Sequence, residues 1–126
     1  MPPTMGIVHA TVNLFSPDRV RSETVRLVVE TGSVLTRIPE DTAERLGLQP
    51  QETMRFRTID GMIVERPISD CFVECQGLRG YVPVVFARKG DAHVFGVTAM
   101  ERLGLEVDPQ AGTLKRVDAY LALVAA

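Results

Sequence analysis

Glu30-Thr31-Gly32-Ser33 follows the apolar run Val25 to Val29, interrupted only by Arg26, and leads into Val34-Leu35-Thr36-Arg37-Ile38-Pro39. A short apolar run ended by a glycine-containing turn predicts a buried strand. A carboxylate at the strand's end, followed by a small hydroxyl and a glycine, sets an ionisable group on a sharp turn whose backbone can approach a ligand. Acid-base chemistry fits such a turn.

Upstream, Gly6 to Phe15 separates into Ile7, His9, Thr11 and Asn13 against the wholly apolar Val8, Ala10, Val12 and Leu14. That is the period of a half-buried strand, and Ser16-Pro17-Asp18 reads as the turn after it. Downstream, a third strand is expected at Val34 to Ile38. Pro39 to Leu46 then carries proline at the first helical position, acids in the first turn and Gly47 as a stop, which predicts a short helix. Thr53 to Ile59 and Met62 to Ile68 flank Asp60-Gly61, the signal of a two-residue hairpin, and Pro67 marks the second arm as an edge. Further strands are expected at Cys71 to Gln76 and Tyr81 to Ala87 around a Gly77-Leu78-Arg79-Gly80 turn, then at Val94-Phe95. A second short helix is expected at Thr98 to Leu103 before Gly104, a turn at Asp108-Pro109-Gln110-Ala111-Gly112, and an apolar strand at Tyr120 to Val124. The reading is all-β with one or two short helices. No linker divides residues 1–126, so a single domain is expected.

The composition excludes several functions. With 126 residues, 45% apolar, 24% charged and a net charge of −2, the chain has neither the basic stripe nor the aromatic platform of a nucleic-acid binder. Met1-Pro2-Pro3-Thr4-Met5 lacks the features of a secretion signal, and no run is long enough to span a bilayer, so a cytoplasmic protein without a membrane partner is expected. Cys71 and Cys75, on one extended strand, would lie roughly 13 Å apart, too far for a disulfide; free buried thiols are expected. His9 and His93 are isolated and match no zinc-site spacing, so neither metal nor another cofactor is expected.

Glu44-Arg45-Leu46-Gly47-Leu48 recurs as Glu101-Arg102-Leu103-Gly104-Leu105. Upstream of each copy an apolar strand meets a glycine, in Val28-Val29-Glu30-Thr31-Gly32 and in Val94-Phe95-Gly96. The pattern is that of an internal duplication, although Leu-Gly-Leu is also a good helix stop in its own right.

In this order the elements resemble the retropepsin-like aspartic peptidases, including their bacterial members, over nearly the whole chain. The resemblance rests on the Glu30-Thr31-Gly32-Ser33 turn, the helix leading to Leu46-Gly47-Leu48, the Asp60-Gly61 hairpin, Val94-Phe95-Gly96, the second helix, and Leu105-Glu106-Val107-Asp108-Pro109. It implies a closed acid-protease barrel, an endopeptidase acting on a peptide or protein substrate, and a hairpin flap over the substrate. It also implies catalytic roles for Glu30, Thr31 and Gly32, with Thr31 bonding across a dimer beneath the acids. Ser33 and the flap tip Ile59-Asp60-Gly61-Met62 would meet substrate.

Peptide hydrolysis by carboxylates alone needs two of them, one to deprotonate water and one to hold a proton for the carbonyl. The second repeat offers no acid at Val94-Phe95-Gly96, so one chain supplies one carboxylate, and a twofold homodimer would bring two Glu30 side chains together. Tyr120 to Val124 is a candidate interface strand or an internal core strand. The family pattern has aspartate where this chain has Glu30. One extra methylene moves the carboxyl by about 1 Å, a displacement that can cost roughly a hundredfold in rate. Three readings therefore stand: a peptidase with a glutamate dyad, a protease-like module that binds extended peptides without cleaving them, and an unrelated small β domain.

Overall fold

The computed structural model describes residues 6–118. Nine strands and two short helices succeed one another: β1 (His9–Phe15), β2 (Ser22–Val29), β3 (Thr36–Pro39), α1 (Glu40–Arg45), β4 (Glu52–Arg57), β5 (Ile63–Cys75), β6 (Leu78–Ala87), β7 (Val94–Phe95), α2 (Val97–Leu103), β8 (Leu105–Asp108) and β9 (Thr113–Arg116). The mostly-β architecture agrees with the expectation from sequence. Tyr120 to Val124 lies outside the described residues. No described helix is long and apolar enough to cross a membrane.

Seven strands form one sheet in the order β1-β2-β7-β3-β6-β5-β4, and Asn13↔Glu74 and Leu14↔Val73 pair β1 with β5 as well. β8 and β9 form a separate two-stranded ladder. The main core lies on one face of the large sheet. Ala10, Val12 and Leu14, the apolar set of β1, meet Leu27, Ile38, Val84, Phe86 and Phe95 there, together with Ala43 and Leu46 at α1 and Ala99, Met100 and Leu103 of α2. Alternation explains the choice: one-residue slips would turn each set to the other face.

The two halves of the suspected repeat end their helices in the same way. Gly47 (φ 74°) and Gly104 (φ 75°) both take the left-handed conformation, which an L side chain adopts only at a cost. At α1 the Leu48 N–H returns to the Ala43 carbonyl and the Gly47 N–H to Glu44, both at 3.0 Å, so the last carbonyls of the helix are satisfied. The leucine after each glycine, Leu48 or Leu105, is then driven into the core.

Several boundaries differ from the sequence reading, which also predicts neither β8 nor β9. The third strand starts at Thr36, because Val34 and Leu35 form a bend held from outside the strand. The first hairpin closes over three residues, Ile59-Asp60-Gly61: the Gly61 N–H bonds the Thr58 carbonyl at 3.0 Å, the Thr58 N–H bonds Met62 at 2.8 Å, and Gly61 has φ 89°. A type I turn followed by a left-handed residue gives this loop, and Asp-Gly fits it as well as it fits a two-residue turn. The turn expected at Gly77 to Gly80 is instead Gln76-Gly77, both at positive φ, and β5 runs unbroken through Pro67. Proline is tolerated because Pro67 pairs only with Thr53 of β4, while the ladder with β6 begins at Ile68.

Cys71 and Cys75 are free and buried on β5. Burial pushes the Cys71 thiol up to about 11, which leaves almost no thiolate at neutral pH. Thiol titration of the native protein is therefore expected to be slow at both cysteines and complete only in denaturant. Rapid labelling at pH 7 would contradict their placement.

Candidate active site

The Glu30 turn is built from two directions. β2 pairs in parallel with β7, Val28↔Val94 and Val29↔Phe95, and the ladder extends one step further as the Glu30 N–H bonds the Phe95 carbonyl at 3.1 Å. The chain then reverses. The Glu30 carbonyl accepts the Ser33 N–H at 3.1 Å, leaving Thr31 and Gly32 exposed at the centre of the turn. The Glu30 side chain curls back so that Oε1 accepts the Gly32 N–H at 3.4 Å, a long bond.

The far side of the turn is fastened to the second repeat. The Ser33 carbonyl accepts the Val97 N–H at 2.8 Å and the Val34 carbonyl accepts the Thr98 N–H at 3.0 Å. These are first-turn donors of α2 that the helix itself cannot satisfy. The Ser33 hydroxyl is turned to the Leu35 carbonyl at 2.9 Å. Between them, the Gly96 N–H donates to the buried Thr36 hydroxyl at 3.0 Å. A Cβ on Gly96 would lie 2.6 Å from the Leu35 carbonyl carbon and oxygen, whereas one on Gly32 would lie 3.5 Å from Glu30 Oε1, an ordinary contact. Within one protomer, then, close approach requires glycine at 96 rather than at 32.

Thr31 opens onto a concavity of about 440 Å³ walled by Val97 and Met100 of α2 and by Leu105 and Val107 of β8. Ile59, Met62 and Ile63 at the hairpin are exposed, as is Val34 beside the turn. Asp60 serves its own loop: the Thr58 hydroxyl donates to it and holds its carboxyl below the ordinary range. The structure thus gathers residues 30–33 into one turn and residues 59–62 into another. No hydrogen bond or ion pair joins the two turns among the described residues.

At its base the hairpin is tied to the β6–β7 loop. Arg66 of β5 grips Asp91 through Nε at 2.6 Å and through its second terminal nitrogen at 3.0 Å, and the Arg88 N–H adds 2.9 Å to the same carboxylate. The Arg66 hydrogen bond, above all, holds Asp91 below its ordinary range; the Arg88 N–H and the charges of Arg66 and Arg37 act the same way against desolvation. Sequence reasoning did not single out Thr36, Arg37, Arg66 or Asp91. No local pattern marks them, since the residues they meet lie far away in the sequence. Gly96 was visible only as the end of an apolar strand. No group of three or more metal-ligating side chains occurs among the described residues.

Two outcomes follow. Gly96→Ala forces the Leu35 backbone away and is expected to destabilise the fold by about 1–3 kcal/mol, read as a lower denaturant midpoint. Asp91 titrates lower in the folded than in the unfolded chain, so its contribution is complete above about pH 4 and is lost as pH falls through the folded value. With both partners only partly exposed, 16% and 21%, the pair is expected to be worth about 1–2 kcal/mol, between exposed and buried ion pairs. Asp91→Asn should lower the melting temperature at pH 7 and flatten its fall below pH 4; an unchanged acid limb would assign that limb to other groups.

A search of curated proteins finds no match. A family model described as aspartyl protease matches residues 17–99, from the β1–β2 loop through the Glu30 turn, the hairpin and Gly96 into α2. Covering about two thirds of the sequence, that match establishes that this chain belongs to the aspartyl protease family, of the retropepsin-like type.

Proposed function

We propose that the protein is an endopeptidase that works as a homodimer, with Glu30 of each protomer forming a shared dyad at the mouth of a closed single-domain barrel and the Ile59-Asp60-Gly61-Met62 tip closing over an extended peptide. One observation carries the reading: an exposed carboxylate stands on a turn fixed at both ends, by Phe95 before it and by Val97 and Thr98 behind it, in a chain of the aspartyl protease family. A turn so held loses little entropy when it positions a reacting group. The curl that ties Oε1 to Gly32 takes up part of the extra methylene of glutamate and keeps the carboxylate over its own turn.

Two carboxylates a few ångströms apart cannot both ionise easily, so one proton is shared and the two titrations separate. The ionised Glu30 takes a proton from water as its oxygen bonds to the peptide carbonyl carbon, while the protonated Glu30 gives its proton to the carbonyl oxygen. The tetrahedral intermediate then collapses. Its C–N bond breaks, the carboxylic acid formed in the first step protonates the departing amine, and a diol proton returns to the other carboxylate. Thr31 and Gly32 hold the turn against its mate across the dyad. Ser33, next to the acid, and the exposed apolar groups Val34, Ile59 and Met62 supply contact surface for substrate.

The test combines Glu30 variants with sizing. Sedimentation should give a dimer, and Glu30→Gln should lower kcat/KM by about 10²–10⁴-fold while leaving assembly intact, with a bell-shaped pH profile for the native enzyme. Cleavage that persists in Glu30→Gln would falsify the dyad. Peptide binding by a dimer that cleaves nothing at any pH would instead assign the chain to binding without hydrolysis.

A further inference from the structure

Arg37 is a half-buried cation whose Nε is buried and has no hydrogen-bond partner among the described residues. Such groups are rare and call for a reason. Asp91 is close enough to feel the Arg37 charge, but both Asp91 oxygens are already taken, by Arg66 and by the Arg88 N–H. No described carboxylate lies within 4 Å of Arg37 as an ion pair.

The register places this cation on the same face as the candidate acid. Arg37 stands opposite Val94 of β7 and beside Val85 of β6, and Val94 in turn stands beside Val28 of β2. Residues aligned across neighbouring strands share a face, so Val28, Val94, Arg37 and Val85 form one row. It is the face away from the main core, since their neighbours Leu27, Phe95, Ile38 and Val84 fill that core. Alternation carried two residues past Val28 puts Glu30 on this same face. Two strand spacings across and two residues along separate the Glu30 and Arg37 Cα atoms by roughly 12 Å. An extended peptide covers that distance, less the reach of the side chains, in about two residues. The hairpin arm whose base Arg66 ties to Asp91 rises from beside the same row, because Ile68 stands opposite Val85.

We propose that Arg37 is a specificity-determining residue that receives the carboxylate of an Asp or Glu side chain about two residues from the scissile bond. The site rests on the reading that a peptide lies between the Glu30 turn and the hairpin. Arginine suits it because its planar, permanently charged fork pairs with a carboxylate through two parallel bonds. With Arg66 satisfied by Asp91, Arg37 is left as the cation of the row whose charge a substrate can neutralise. Neutral side chains at that position would leave the Arg37 charge unmatched, and basic ones would meet a like charge.

The experiment digests a proteome-derived peptide library with the native protein and with Arg37→Met, Arg37→Lys and Arg37→Glu, then measures kcat/KM on matched peptides carrying Glu, Gln or Lys at that position. The native protein and Arg37→Lys should favour Glu over Gln by about ten- to a hundredfold. Arg37→Met should lose the preference, and Arg37→Glu should turn it toward Lys. The same peptides are titrated by fluorescence polarisation onto Glu30→Gln with and without Arg37→Met, so that the charge preference is read where no cleavage occurs. Absence of cleavage with an Arg37-dependent preference in binding would remove the peptidase reading and keep the subsite. Equal treatment of Glu and Gln peptides by the native protein, in cleavage and in binding alike, overturns the subsite. That comparison needs no Arg37 variant to fold.

Discussion

The contact on which the rest of this molecule depends is the close approach of the Gly96 backbone to the chain at Leu35. At that point there is no room for a Cβ, and four bonds converge around it: Glu30 N–H to Phe95, Val97 N–H to Ser33, Thr98 N–H to Val34 and Gly96 N–H to the Thr36 hydroxyl. Remove the proximity and the turn keeps only its local bonds, Ser33 N–H to the Glu30 carbonyl, Gly32 N–H to Glu30 Oε1 and the Ser33 hydroxyl to the Leu35 carbonyl. An isolated four-residue turn holds a carboxylate poorly, because each of its residues regains backbone freedom worth about 1–2 kcal/mol. Locked from both repeats, the same turn presents its acid at a fixed place. The cost of that arrangement falls on residue 96, which has to be glycine for a neighbour's sake and not for its own conformation.

Charge is distributed with the same economy. The acid at the end of β2 is exposed and answers to the N–H of Gly32 alone, whereas the acid of the β6–β7 loop is fully engaged by Arg66 and by the Arg88 N–H. The first arrangement leaves a carboxylate open to solvent. The second anchors the root of the hairpin while its tip, Ile59 to Met62, stays bare.

The duplication has a structural counterpart. Both helices end on a left-handed glycine followed by a buried leucine, and the strands that lead to Glu30 and to Gly96 lie side by side in parallel. The two copies differ where each strand ends. One ends in an acid, the other in the glycine that lets the acid's turn pack. A single chain therefore supplies both a holder and a held group.

Much of this was legible in the linear sequence. The two-residue alternation of β1, the helix stops at Gly47 and Gly104, the hairpin around Asp60-Gly61 and the Glu30-Thr31-Gly32-Ser33 turn are set by forces between near neighbours: burial of alternate side chains, capping of orphan carbonyls and the φ freedom of glycine. Those forces do not change when the rest of the chain is ignored. Tertiary structure alone decided that β5 runs through Pro67, that Val34 and Leu35 leave the strand to serve α2, that glycine is required at 96 rather than 32, and that Arg66 and Asp91 meet at the root of the hairpin with the charge of Arg37 close by. Each of these rests on partners more than a dozen positions apart in the chain, which only the strand order β2-β7-β3-β6-β5-β4 brings together.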